Sequence, residues 1–152
     1  MNIVDFAYSV QRRLWKVLRP RTRGVKVMLF NKAGQILLIR NSYGANHLFV
    51  LPGGGARSFE TPETAARREI DEELGCAFEA LRPVSTHFTS REGKKDTVYL
   101  FEAVTTDVPR PDGIEVEEAR FFALDALPDT LSPATARRLA ERSGAAERDG
   151  SW

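Results

Sequence analysis

The sequence predicts an α/β domain, and three observations carry that prediction. Runs of branched apolar residues at strand spacing flank a well-capped helix on both sides, a second capped helix lies near the end, and 152 residues suit a single core. The chain is 42% apolar and 28% charged, the ordinary range for a folded domain. No apolar run approaches the ~20 residues that cross a bilayer, and the N-terminus lacks the unbroken apolar segment of a secretory signal. The sequence is therefore read as cytoplasmic, with no membrane partner expected. Net charge is +1, with both signs interspersed beyond residue 23, which gives no electrostatic reason to bind a nucleic acid polymer. Cys76, the single cysteine, has no disulfide partner and no zinc-ligand neighbours, and reads as a small core residue.

Residues 1–22 form an extension. Ile3, Phe6, Val10, Leu14 and Val17 recur at helical spacing in a segment that Pro20 ends, and Arg12, Arg13, Lys16, Arg19, Arg21 and Arg23 face only Asp5 in charge. This reads as an amphipathic helix whose apolar face packs on its own domain or on a second subunit in a homodimer. An anionic membrane surface is the alternative.

The main domain covers residues 23–142. Val25, Val27 and Leu29, then Ile36 to Ile39, read as a hairpin with Asn31-Lys32-Ala33-Gly34 as its turn. A polar loop, residues 41–47, leads to a short apolar strand, Leu48 to Leu51, and to the turn Pro52-Gly53-Gly54-Gly55. A helix follows from about Pro62 to Leu74: Thr61 is its N-cap, Pro62 fits the first position, Glu63 suits the dipole and Gly75 ends it. Strands are expected over Leu81 to Thr89, Thr97 to Val104 and Ala119 to Ala123, and a helix from Pro133 to about Arg142, capped by Ser132. Residues 143–152 read as a flexible tail.

On the Thr61 to Leu74 helix, at ~100° per residue, Glu69, Glu72 and Glu73 share an arc beside the apolar stripe of Ala66, Ile70 and Leu74. A solvated helix pairs its glutamates with cations three or four residues away. Arg67 can pair with Asp71 and Arg68 with Glu72, but Glu69 and Glu73 have no such neighbour. Uncompensated repulsion points to a hard divalent cation bound from outside the helix. The three glycines before the helix free the backbone to approach another group.

Taken together, the chain reads Gly54, five residues, Glu60, seven residues, then Arg68-Glu69-Ile70-Asp71-Glu72-Glu73-Leu74-Gly75-Cys76. This resembles the signature of the Nudix hydrolase family, with Cys76 standing where a bulky aliphatic residue is usual. Average residue usage would produce the pattern by chance with probability of roughly 10⁻⁸ to 10⁻⁷. With Leu51-Pro52-Gly53-Gly54 and the strand-rich flanks, the resemblance covers about residues 23–127.

The resemblance implies an α/β/α sandwich around a mixed sheet, with the signature as a loop-helix-loop that holds Mg²⁺, or Mn²⁺ in its place. It implies Glu72 and Glu73 as metal ligands, Glu69 as a ligand or the base that activates water, and the Gly53 carbonyl as another ligand. Arg68 holds the glutamates, Gly54 belongs to the supporting turn, and Glu60 is a supporting acid near the metals. A further ligand is expected on a loop facing the helix, where Glu115 fits the spacing better than Glu117 or Glu118. The implied reaction is cleavage of a phosphoanhydride in a nucleoside diphosphate linked to another moiety, by metal-activated water. Arg40, Arg57 and Arg91 are candidates for substrate phosphate. His47 and His87 carry no nucleophile motif. The alternatives are a non-catalytic nucleotide sensor on the same scaffold, and an isoprenoid diphosphate isomerase, which would need a suitably placed cysteine upstream.

Overall fold

The computed structural model describes residues 2–7, 21–44, 46–91 and 94–152. The elements of the main domain, in chain order, are β1 Arg21–Phe30, β2 Ile36–Asn41, β3 Gly53–Gly55, α1 Pro62–Leu74, β4 Arg82–Arg91, β5 Lys94–Val104, β6 Val116–Phe122 and α2 Pro133–Ser143. They match the expected order. The strands form one mixed sheet, β4-β5-β1-β2-β6, in which β1 and β5 run parallel and β3 pairs with β1.

Both faces of the central strands are buried, because apolar residues occupy odd and even positions alike. Val25, Val27, Leu29, Leu37 and Ile39 pack against Ala65, Ala66, Ile70 and Leu74 of α1. Met28, Phe30, Ile36, Leu38 and Leu100 pack on the other face with Leu139 of α2. The result is helix, sheet, helix. Cys76 lies in the α1-side core, where burial pushes its thiol up to about 11.

The hairpin turn is made by Asn31, whose side-chain oxygen accepts from the Ala33 and Gln35 N–H groups, and by Gly34 at φ 76°. Beyond it, β1 and β2 pair only at Phe30 and Ile36 and then diverge. Residues 50–55 fill the gap. Val50 pairs with Ile39, the Val27 N–H donates to the Pro52 carbonyl at 3.0 Å, and Gly53–Gly55 run antiparallel to Gly24–Lys26. The apolar strand expected over Leu48 to Leu51 is thus reduced to single bridges at Phe49 and Val50, because its two sides pair with different partners.

Residues 3–7 are helical, and Ile3 and Phe6 are 86% and 62% exposed, so of the two surfaces expected for this apolar face, its own domain or a second subunit, the described part does not pack on the domain. Val10, Leu14 and Val17 lie outside the described residues. The tail, expected to be flexible, docks: Ser151 bridges to Phe88, and its carbonyl accepts from buried Arg138 at 2.7 Å. Trp152 packs on the α2-side core beneath the Arg138 guanidinium. The composition of the tail hides this because a single aromatic and one buried arginine do the anchoring. Among the described residues, no helix is long and apolar enough to cross a membrane.

Candidate active site

The site is built on α1. Its N-terminus is capped by Thr61, whose hydroxyl accepts from Thr64 N–H at 3.2 Å, with Pro62 in the first turn. Gly75 closes it in the left-handed conformation, φ 64°. This frame turns Glu69 and Glu73 inward, with only 9% and 4% of each exposed. Glu72 points outward, with 52% of its side chain exposed.

Two glycines let the Gly-rich segment lie between β1 and the helix. A Cβ at Gly53, φ 151°, would fall on the Val25 carbonyl, and one at Gly54 would meet the Glu69 carboxyl at 2.5 Å. The turn is therefore the wall against which Glu69 rests.

Arg68 organises the carboxylates. Its Nε and Nη2 donate to both oxygens of Glu60 at 2.7 and 2.8 Å, and Nη2 also donates to the Gly55 carbonyl at 3.0 Å. Its Nη1 reaches Glu69 at 3.0 Å and Glu72 at 3.2 Å. The bidentate contact and the Arg57 N–H hold Glu60 down to about 2. Arg23 braces the same loop by donating to the carbonyls of Arg57 and Glu60. Glu69 therefore does have a nearby cation, contrary to the helical-spacing argument, because a long arginine can fold onto its immediate neighbour. Arg67 likewise does not pair with Asp71. It donates to the Phe78 and Glu79 carbonyls at 2.6 Å and staples the chain that leaves the helix.

The loop before β6 completes the cluster. The Arg110 and Asp112 N–H groups donate to the Leu74 and Glu73 carbonyls, and the Asp112 carboxylate accepts from the N–H groups of Ile114, Glu115 and Val116. This pinned loop brings Glu115 to the helix, and Glu69, Glu73 and Glu115 each place an oxygen within 4.8 Å of the others. Of its neighbours, Glu117 is exposed and Glu118 is paired with Arg40 at 2.7 Å. Asp112, which sets the loop, was not singled out from sequence; its signal was the Asp-Gly turn pair at 112–113.

Burial raises all three carboxyl groups above their ordinary range, and Glu69 pushes the other two further in the same direction. Glu73 is pushed up to about 9, and its Oε2 is buried without a hydrogen-bond partner. Opposing charge comes from Lys26 on β1, which acts on Glu73 and Glu69 while its Nζ donates to the Leu51 carbonyl at 3.0 Å. Lys26 was also missed from sequence.

The candidate phosphate ligands divide. Arg40 is committed to Glu118 and to the Asn46 carbonyl. Arg57 sits exposed at the rim, 3.8 Å from Glu72. The Arg91 side chain lies outside the described residues. His47 is exposed, and His87 belongs to the tail anchor, with its ring nitrogens on Ser85 and on Arg138 and Ser151.

A model of the NUDIX domain matches residues 20–142. An uncharacterized Nudix hydrolase of Pseudomonas aeruginosa is 30% identical over 104 residues, 66% of this chain and 62% of the relative. The NAD-capped RNA hydrolase NudC of the same species is 28% identical over 135 residues, 84% of this chain and 48% of the relative. The chain thus spans about half to three-fifths of the length of these curated relatives. The crystal structure of a MutT NUDIX hydrolase from Burkholderia pseudomallei superposes with a TM-score of 0.70 at 30% identity, covering 78% of this chain and 95% of the other.

Proposed function

The chain belongs to the NUDIX family, and from that membership and the Glu69, Glu73 and Glu115 cluster we propose that it hydrolyses a phosphoanhydride bond in a nucleoside diphosphate linked to another moiety, with Mg²⁺ or Mn²⁺. The cluster is the observation that carries this reading. Three crowded carboxylates, with a buried Glu73 oxygen that lacks a partner, are costly unless a cation joins them. Their hard oxygens fit Mg²⁺ or Mn²⁺. Glu69, Glu73 and Glu115 would hold the ion, with the Gly53 carbonyl as a further candidate ligand and Glu72 at the rim. Such a cation supplies charge to offset the diphosphate and lowers the pKa of water.

The chain's own groups do the rest. Arg68 keeps Glu69 and Glu72 in register while Glu60 fixes Arg68, so the glutamate that takes the proton from attacking water is already aimed. The reaction is an acid-anhydride hydrolysis that needs no protein nucleophile.

The test is a phosphate-release screen over nucleoside triphosphates, nucleotide sugars, dinucleotides and 5′-capped nucleotides, with Mg²⁺ and with excess EDTA. Turnover of at least one member, abolished by EDTA, is expected. Full activity in EDTA would refute the metal assignment, and tight nucleotide binding without turnover of any member would identify a non-catalytic sensor instead.

A further inference from the structure

A one-sided charge lies ahead of the main domain. Residues 1–23 carry six basic side chains against the single acid Asp5, whereas both signs mix along the rest of the chain. The apolar side of the same stretch is uncovered where it is described: Ile3, Val4 and Phe6 all stand exposed on residues 3–7. A lone exposed apolar residue is ordinary, but three within four residues, opening an amphipathic pattern, form a contact surface.

A second apolar projection stands where this extension joins β1. Phe59 is fully exposed, on a loop that Arg23 braces by donating to the Arg57 and Glu60 carbonyls at 2.7 and 3.0 Å. Arg57, on the same loop, also has most of its side chain in solvent. One braced loop therefore presents a ring and a cation to the surroundings.

Charge decides what covers such a surface. A second copy would bring two basic extensions together, and like charges repel, whereas anionic headgroups attract each Lys and Arg that comes near them. The aromatic residues point the same way. At ~100° per residue, Tyr8 and Trp15 fall between the arc of Ile3, Val10 and Leu14 and the arc of Arg12, Lys16 and Arg19. Rings with one apolar and one polar side suit that boundary when it lies at headgroup level.

We propose that this end of the molecule seats on an anionic lipid surface, with Ile3, Phe6 and Phe59 entering the headgroup region and the basic side chains of the extension meeting lipid phosphates. The contact is peripheral, since no described helix is long and apolar enough to span a bilayer. Both signals are needed, because a few apolar side chains alone bind a membrane only marginally. The proposal stands apart from the hydrolase reading and needs no residue of the carboxylate site.

The experiment is flotation of the full chain with vesicles of phosphatidylcholine alone and of phosphatidylcholine with about one third phosphatidylglycerol. Wild type should float with the anionic vesicles at low salt, come off as salt rises, and stay behind with the neutral ones. Ile3→Ser with Phe6→Ser, and Arg12→Gln with Lys16→Gln, should each weaken binding at least about tenfold, and Phe59→Ser at least about threefold. Because Ile3, Phe6 and Phe59 are exposed, their variants should melt with wild type. No binding to anionic vesicles at low salt, or binding that any of these variants leaves unchanged, overturns the proposal. A dimer in light scattering that Ile3→Ser with Phe6→Ser dissociates, without vesicle binding, overturns it in favour of a second copy.

Discussion

Replacing Gly54 with alanine should damage catalysis far more than folding. The added Cβ would stand 2.5 Å from Cδ and Oε2 of Glu69 and 2.8 Å from Oε1. Ordinary contact needs ~3.5 Å, so the carboxyl must retreat by about 1 Å. It is the end of a side chain and can move, but Arg68 on one side and Glu73 on the other set where it goes. Overpacking of this kind costs about 1–3 kcal/mol, and each kcal/mol lowers the melting temperature by about 2–4 °C at this chain length. A 1 Å misplacement of a reacting group costs about 10²-fold in rate. Gly54→Ala should therefore fold, melt a few degrees lower, bind Mn²⁺ more weakly and lose about 10²-fold in turnover of the best substrate. Gly53→Ala is the control: its Cβ meets the backbone of Val25 and Lys26, which cannot give way, and its φ of 151° is strained for alanine. That variant should lose the β1–β3 pairing and much of its stability. Wild-type turnover and Mn²⁺ affinity in Gly54→Ala would refute the placement of Glu69 against the turn.

Three further outcomes are expected. Because Glu73 is raised to about 9 in the folded protein against ~4.3 when unfolded, the folded state holds a proton the unfolded state has lost, and stability falls as pH rises between those values. Metal-free protein in EDTA should thus melt lower near about pH 8 than near about pH 6, and the stabilisation by Mg²⁺ should widen with pH; the opposite trend would refute the buried, crowded carboxyl. Glu115→Gln should lose activity at limiting Mg²⁺ and regain it at high Mg²⁺ while exposed Glu117→Gln behaves as wild type, and the reverse result would displace Glu115 from the site. Arg138→Met leaves buried Glu141 with only the longer Arg137 contact at 3.7 Å in place of its partner at 2.9 Å, which should cost up to about 3 kcal/mol in denaturant unfolding with Mn²⁺ affinity unchanged, whereas an unaltered midpoint would show the tail anchor to be dispensable.

How much was legible in the sequence depended on how local the cause is. The α1 caps and the Asn31 hairpin turn follow from neighbouring residues, and spacing alone located them, whereas it placed Glu69, Glu72 and Glu73 together beside the buried stripe without separating the two that turn inward. Arg40 looked free because its partner is 78 residues away, opposite it in the β2–β6 register. Lys26 looked like an ordinary strand lysine, since nothing nearby in sequence shows that Gly53 will lie across from it. Glu72 sits in the same helical arc as Glu69, yet Arg68 and Arg57 draw its carboxylate to the rim. The tail is the same lesson in apolar form, since Trp152 is anchored by the buried Arg138 rather than by its own neighbours.

Crystals of the full chain soaked in Mn²⁺ and measured at the manganese absorption edge test the metal centre most directly. Anomalous density within about 2.5 Å of oxygens from Glu69, Glu73 and Glu115 is the expected result. Density only at solvent-facing carboxylates, with none between these three at saturating Mn²⁺, would contradict it.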